Sequence, residues 1–455
     1  MNVMNDREEK RHFYRLVFSL VLPMALQNLI NVGVSAADVI MLGKVSETAL
    51  SASSLAGQVY YIMSLIFFGL TSGAAVLTAQ YWGKKDIRAI EKILGITIRF
   101  SVSVALIFTI AVQLFPVPIM QIFTNKTETD VIMQGAAFLK IISFTYLLSA
   151  ITMIYLNIMR SVERVIIATV IYSISLVINI LLNAVFIFGM FGLPAMGVRG
   201  SALATLIARC VELILVLLYA TFVNKTVRLR IRDIFVHDKL LMKDFLTYSF
   251  PVMLNELIWG TGTSVVAAIV GHMGKSAVAA NSVTQIIRQL ALVLAFGLAN
   301  ATAITLGKAL GQDKTALAKT YAKRFVRLTI ILGVIGAFVI LGTSQIAKEF
   351  LSLSGQAKSY LNVMMIVMSY FAIAQAYNTT LIVGVFRAGG DIKFGLFLDT
   401  VFLWGVSILL GAIAAFVLKL PVPIVYIILL SDEIIKIPVS TWRYRSMKWV
   451  KNVTR

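Results

Sequence analysis

The chain is 455 residues long, 59% apolar and 14% charged, with a mean hydropathy of +0.88. Soluble domains carry about a quarter charged residues, so this composition excludes an ordinary soluble enzyme and points to an all-α integral membrane protein. A net charge of +20 would suggest nucleic acid in a soluble chain, but here Lys and Arg gather between apolar runs, which reads as membrane topology and attraction to anionic lipid rather than nucleic-acid binding.

Taken from the N-terminus, the polar start from Met1 to Arg15 does not read as a cleavable leader, and the apolar run behind it is long enough to stay in the membrane. Uncharged runs of about 20 residues, enough to cross a bilayer, recur near 16–40, 53–80, 94–115, 132–157, 165–189, 198–220, 245–271, 279–306, 325–346, 358–384, 394–418 and 421–440. They predict twelve transmembrane helices. Most basic residues fall in the connections on the side of the N-terminus, which places both termini in the cytoplasm of a multi-pass protein of the plasma or inner membrane. The longest polar segment, Asn224 to Asp244, reads as a cytoplasmic linker, with a lipid-sensing helix as the alternative. It separates an N-terminal six-helix lobe, 1–223, from a C-terminal one, 245–455. The lone Cys210 excludes an intramolecular disulfide.

The lobes echo each other. Pro23/Pro251, Gly43/Gly271, Ala49/Ala277, Ala52/Ala280, Phe68-Gly69-Leu70/Phe296-Gly297-Leu298 and Gly83/Gly311 all keep one spacing, 228 residues. Arg160 and Arg387 keep nearly the same one. Six spans per repeat, an even number, give both repeats one orientation, so the lobes are pseudo-symmetric about an axis along the membrane normal. Paired repeats of this kind mark transporters that rock one half against the other around a central site.

Ionisable groups inside spans are costly and mark pathways or partners. Asp38 lies deep in the first span with no basic residue within a helical turn, and Pro23 on the same span bends the helix by removing a backbone donor. Asn179 and Asn183 in the fifth span share a helical face, and their amides could complete an oxygen-lined site for a cation or a proton network. In the second half, Glu256 follows Pro251 and stands next to Asn255 and one turn before Trp259, while Arg288 and Asp399 are also embedded. Glu256, Trp259, Arg288 and Asp399 form either a substrate or second coupling site, or hold a buried Glu256–Arg288 or Asp399–Arg288 ion pair. Arg209 with Glu212, and Asp432 with Lys436, have helical spacings that let each pair neutralise itself. His12, His237 and His272 lack metal-ligand spacing. Nucleotide-binding, metalloprotease and nucleophile-elbow motifs are not found in the sequence, so an enzyme or ATP-driven pump is not expected, nor any cofactor.

Four stretches carry a resemblance: VGVSAADVIMLG from Val32, the Phe68-to-Gly83 segment ending in AQYWGKKD, INILLNAVFIFG followed by MGVRGSALAT, and FRAGGD from Phe386. Together they resemble the multidrug and toxic compound extrusion family, MATE, over nearly the whole chain. The resemblance implies a cation-coupled antiporter that exports organic cations, drugs or toxic metabolites, driven by inward H⁺ or Na⁺ and acting by alternating access as a monomer. It implies a cation site at Asp38, Asn179, Asn183 and Thr205, with Na⁺ a candidate at Asp38, and Pro23 as the family's bending proline. Asn183 stands where several members carry a second acid. Glu256 is similar to the family's acid on the seventh helix, about one turn earlier, and would offer a cationic amphipathic substrate its counter-charge. The tenth-helix acid of one branch is replaced in the region of Ala376, Tyr377 and Asn378. The rival readings are a lipid-linked oligosaccharide flippase of the related superfamily and a passive solute permease.

Overall fold

The computed structural model describes residues 6–124, 127–235, 238–350 and 354–454, and these fold almost entirely into helices. In chain order they are α1 (Asp6–Val45), α2 (Glu47–Lys84), α3 (Ile87–Leu114), α4 (Pro116–Phe123), α5 (Thr129–Ile142), α6 (Phe144–Ser161), α7 (Ile166–Phe188), α8 (Gly197–Leu218), α9 (Ile231–Ile234), α10 (Lys239–His272), α11 (Lys275–Gly311), α12 (Thr315–Phe350) and α13 (Gly355–Thr379). After them come α14 (Ile392–Leu398), α15 (Leu409–Ala412), α16 (Val422–Leu429) and α17 (Asp432–Arg445). A π-helical stretch, Thr380–Phe386, prolongs α13, and another, Asp399–Ile408, joins α14 to α15. Helix is the outcome the solvent dictates, because backbone groups in hydrocarbon must be satisfied within the segment itself.

Ten helices among the described residues are long and apolar enough to cross a membrane, or eleven when α5 and α6, bent by 47° at their junction, count as one span. Twelve were predicted, and the difference lies at the end of the chain. The expected span 421–440 falls on two short helices, α16 and α17, and the second carries Asp432, Glu433 and Lys436. Its charge and the break at Leu430 keep it from scoring as one apolar span.

Two compact units form. One contains residues 26–78 and 86–249, the other 1–25, 79–85 and 250–455. The expected lobes, 1–223 and 245–455, divide the chain by repeat, and the compact units depart from that division by exchanging the first part of α1 and the first part of α10 and by counting the end of α2, 79–85, with the second unit. The crossing points, after Ala25 and after Ser249, fall beside Pro23 and Pro251. Each proline lacks the N–H that would bond the carbonyl four residues back, Ser19 or Thr247, so each long helix is weakest where it leaves one unit for the other.

The first unit buries an apolar cluster that includes Met63, Phe67, Val112, Leu139 and Tyr146. The second buries one around Met364, Met365, Met368, Tyr426 and Leu429, with Trp259 packed against it. In the second unit the repeated glycines explain themselves. A Cβ at Gly83 would strike the Lys308 carbonyl, and one at Gly311 would strike the Gln80 carbonyl, so the ends of α2 and α11 approach each other closely and reciprocally.

The segment 224–244 is held down within the first unit. Arg88 makes a two-pronged contact with Asp233 at 2.6 and 2.7 Å, Lys92 pairs with Asp238 at 3.0 Å, and the Arg228 amide donates to Glu91 Oε1 at 2.9 Å. Asn224 is buried and donates to the Tyr155 hydroxyl at 2.8 Å. Among its described residues it holds the four-residue helix α9 and, from Lys239, the start of α10.

A neutral polar site and a charged network

The first half brings its predicted residues together. Gly189 ends α7 in the left-handed conformation, and the Met196 amide bonds back to Phe186 O at 2.9 Å. At Gly200 a Cβ would strike the Phe186 backbone, so α7 and α8 lie close enough for side chains to meet. Asn179 Nδ2 donates to Thr205 Oγ1 at 3.2 Å, and Asn183 Nδ2 donates to Asn179 Oδ1 at 3.1 Å and to Asp38 Oδ1 at 2.5 Å. Asn179 and Asn183 are buried, and Asn183 Oδ1 has no hydrogen-bond partner. A buried acceptor without a donor is costly, and this one lies on the amide that donates to Asp38.

Next to these hydrogen bonds lies a small, partly open pocket lined by Asn31, Tyr172, Ser175, Asn179, Thr205 and Arg209, among others. Arg209 pairs with Glu212 at 2.5 Å and acts on Asp38 only through space, so the hydrogen bond to the Asp38 carboxylate comes from a neutral amide. Gln27 fastens α1 here: it is buried, donates to Val165 O and Thr169 Oγ1 at 3.1 and 2.8 Å, and accepts from Arg160 at 3.3 Å.

In the second half Asp432 and Lys436 pair as expected, at 2.8 Å, but neither Glu256 nor Asp399 pairs with Arg288. Glu256 pairs with Arg387 at 2.6 Å, and Asp399 pairs with Lys436 at 2.8 Å. Arg288 instead donates to Gln285 and Gln375, at 2.8 and 2.9 Å. The reason is placement. Arg387 follows the π-helical end of α13 and is almost fully buried rather than sitting in a solvated loop, while Lys436 enters from α17. Asn255 joins the two pairs, accepting from Arg387 at 3.2 Å and donating to Asp399 at 2.6 Å. Lys436, with no exposed surface, also reaches Asp432 at 2.8 Å and Glu433 at 3.5 Å. Glu433 in turn accepts from Asn378 Nδ2 at 2.8 Å, so an acid arrives at the region of Asn378 from α17. Trp259 stands outside this network, in the apolar packing.

The residues missed from the sequence were legible in the repeat. Gln27 and Asn255 are 228 residues apart, and Arg160 and Arg387 are 227 apart; each half therefore holds an amide–arginine contact at an equivalent place. Only the second half adds the acid, Glu256, where the first has Asn28. His272 bonds Ala268 O at 2.8 Å, whereas the His12 side chain and His237 lie outside the described residues. Among the described residues no group of His, Cys, Asp and Glu has metal-site geometry.

Comparison with known proteins agrees with this architecture. The MatE family model matches twice, over residues 23–185 and 251–413, one match in each repeat. The chain is 24% identical over 442 residues to the uncharacterized transporter YisQ of Bacillus subtilis, covering 96% of this chain and 95% of that one. It is 22% identical over 432 residues to the probable multidrug resistance protein YoeA of the same organism, covering 92% and 91%. In three dimensions it resembles a mutant of the Vibrio cholerae MATE transporter VcmN, with a TM-score of 0.86 at 15% identity over 97% of this chain and 99% of that one. The twelve-helix, all-α membrane plan is thus the fold of this chain.

Proposed function

The chain belongs to the MatE family of multidrug and toxic compound extrusion transporters, and from that premise we propose that it exports amphipathic and cationic drugs in exchange for inward-moving H⁺ or Na⁺. The observation that carries this reading is the contrast in hydrogen-bond partners: the Asp38 carboxylate accepts from the amide of Asn183, while the acids of the second half are held by Arg387 and Lys436. A carboxylate held by a neutral donor can exchange H⁺ or Na⁺ without first breaking an ion pair.

Asp38, Asn179, Asn183 and Thr205 then form the coupling site. Asp38 is the carboxylate that takes the ion, Asn183 Oδ1 and Thr205 Oγ1 are further oxygens for it, and Pro23 gives α1 the place to bend when the charge changes. The transport surface opens in turn to each side of the membrane, and the chain acts as a monomer, a transporter and not an enzyme, with both termini cytoplasmic. One charge moving inward across 100 mV supplies about 2.3 kcal/mol, roughly fifty-fold in accumulation. In the second half, substrate contacts come from apolar surface, since Glu256 is tied to Arg387.

The test is efflux of ethidium from vesicles with imposed pH and sodium gradients, applied separately. Asp38→Asn is expected to abolish accumulation against a gradient and the response to either ion. Unchanged ion-driven efflux in that variant would remove Asp38 from coupling. Wild-type efflux that only follows the dye gradient would make the chain a passive permease.

A further inference from the structure

The C-terminal end of the chain is anchored at its base and lightly held at its tip. α17 ends at Arg445, and the chain turns back at Met447, whose φ of 55° is left-handed. Ahead of the turn, Arg443 grips Asp391 with two hydrogen bonds, at 2.7 and 2.8 Å. Behind it, Trp449 is fully buried, stacks on Tyr444 and donates to the Tyr444 carbonyl at 3.1 Å. Gly389 makes room for this base, because a Cβ there would strike the Trp449 carbonyl. The tip, 451–454, is held by hydrogen bonds. Val453 N donates to Gln80 Oε1 at 2.7 Å, Gln80 Nε2 donates to Lys451 O at 3.2 Å, and Asn452 Nδ2 donates to Asp313 Oδ1 at 2.7 Å. Lys451 and Asn452 are exposed. A hydrogen bond that water can replace contributes little net stability, so the tip opens more readily than the base.

What the tip holds is the end of α2. Gln80 has no exposed surface, and its amide is used at both ends, by the tip and by Ala388 O at 2.7 Å. It lies just past the point, after Thr78, where α2 passes from one compact unit into the other. α1 and α10 make that passage beside Pro23 and Pro251, where a helix bends. α2 contains no proline, so it crosses as a continuous helix and moves as a rod. A movement of α2 is then taken up where residues 79–85 meet their neighbours, and among those neighbours the tip is a lightly held one.

We infer that residues 451–454 form a clasp, anchored through Trp449, that fastens the end of α2 in one state of the transport cycle and lets go of Gln80 in the other. Gln80 is the catch: its carbonyl oxygen and its amide nitrogen both engage the tip, so release of the tip frees the α2 end from two bonds at once. The base stays in place, which returns the tip to the same catch. As a statement about the transport cycle, this rests on the alternating-access reading above; that the clasp opens and closes does not.

The test locks the clasp. In a Cys210→Ser background, Gln80→Cys and Val453→Cys place thiols on the two residues that meet, and ethidium efflux is followed in the same vesicles after oxidation and again after reduction. The oxidised form, with the cross-link verified by mass, is expected to export at least about ten-fold more slowly than the reduced form, as gating steps of this kind set turnover. Each single-cysteine variant should be indifferent to oxidation. Equal rates in the oxidised and reduced double variant overturn the inference, because the clasp then never needs to open. A second measurement needs no transport: hydrogen–deuterium exchange over 79–85 in the purified full chain, in the cross-linked form and in a chain ending at Val450, which keeps Trp449 and loses the tip. Exchange should be several-fold faster without the tip than in the wild type, and several-fold slower in the cross-linked form. Equal exchange in the wild type and the shortened chain overturns the inference even where the double variant fails to fold. If the wild type exports no dye under any gradient while exchange follows the expected order, the efflux reading fails and the clasp stands.

Discussion

Asp38 and Asp399 are both aspartates in membrane-embedded helices, one in each half, and their surroundings are opposite. Asp38 accepts from one amide next to a small pocket. Asp399 is locked between Asn255 and Lys436, in a network of four carboxylates and two cations. A carboxylate ready to exchange an ion must not already hold a strong partner, while a carboxylate that fixes a structure must. On the proposed reading the repeated scaffold separates those two demands, and the comparison can be broken by moving either residue toward the other's condition.

The largest effect is expected at Asp38. Asp38→Asn removes the one carboxylate of its site, so gradient-driven accumulation of ethidium should fall from about fifty-fold at 100 mV to no accumulation. Its melting midpoint should change little, because an amide replaces an acid that had only a neutral partner. If Asp399→Asn abolished ion-driven efflux while Asp38→Asn did not, the assignment of coupling and structure to the two halves would be reversed.

Lys436 comes next. Its fully buried ammonium serves Asp399, Asp432 and Glu433, so Lys436→Met leaves three carboxylates facing one another in a dry interior. Breaking a buried pair by removing one partner costs about 3–5 kcal/mol. The expected outcome is a steep drop in melting midpoint in detergent, partly restored in the double variant with Asp399→Asn, because the two positions are in contact and their effects couple. Two independent, additive losses would show that the network is not one unit.

Much of this was legible in the sequence, for identifiable reasons. Span positions follow from hydropathy, and the repeat from Pro23, Gly83 and their partners, because both are properties of local composition. Asn179 and Asn183 could be placed on one face because a helix fixes residues four apart. Arg387 and Glu256 are 131 residues apart, and no local rule says which of several embedded acids an embedded arginine meets. The choice of Arg288 as the partner failed for that reason: it lies on a helix face that meets Gln375 instead. Lys436 was half read, since Asp432 sits one turn away and Asp399 arrives from a different helix. The exchange of helix segments between the compact units was not legible, because it depends on which neighbours each end of α1 and α10 packs against.

The repeat also predicts the size of a smaller effect. Arg160 sits in the first half with Gln27 and Asn157 as its acceptors, and the half is folded with it. Glu256→Gln gives Arg387 a neutral amide in place of its carboxylate, beside the amide of Asn255. The cost should be that of weakening a charged hydrogen bond, about 1–3 kcal/mol, well below that of Lys436→Met. A melting loss equal to that of Lys436→Met would mean that Arg387 cannot tolerate what Arg160 does, and the two arginines would no longer be equivalent.

The smallest effect on stability is expected at the prolines, and it tests whether mechanics was divided as chemistry was. Pro23→Ala and Pro251→Ala each restore the donor missing opposite Ser19 or Thr247, so neither should destabilise the chain, and a gain of up to about 1 kcal/mol is in range where alanine relieves the break. Their effects on transport should differ. Pro23 shares a helix with Asp38, fifteen residues away, so a stiffer α1 resists the bend that follows a change of charge, and the initial efflux rate should fall several-fold. Pro251 shares its helix with Glu256, whose charge is already matched by Arg387, so no charge change there calls for a bend and the rate should stay within two-fold. Equal losses in both variants would show that the two prolines flex together and that only the ion chemistry was divided between the halves.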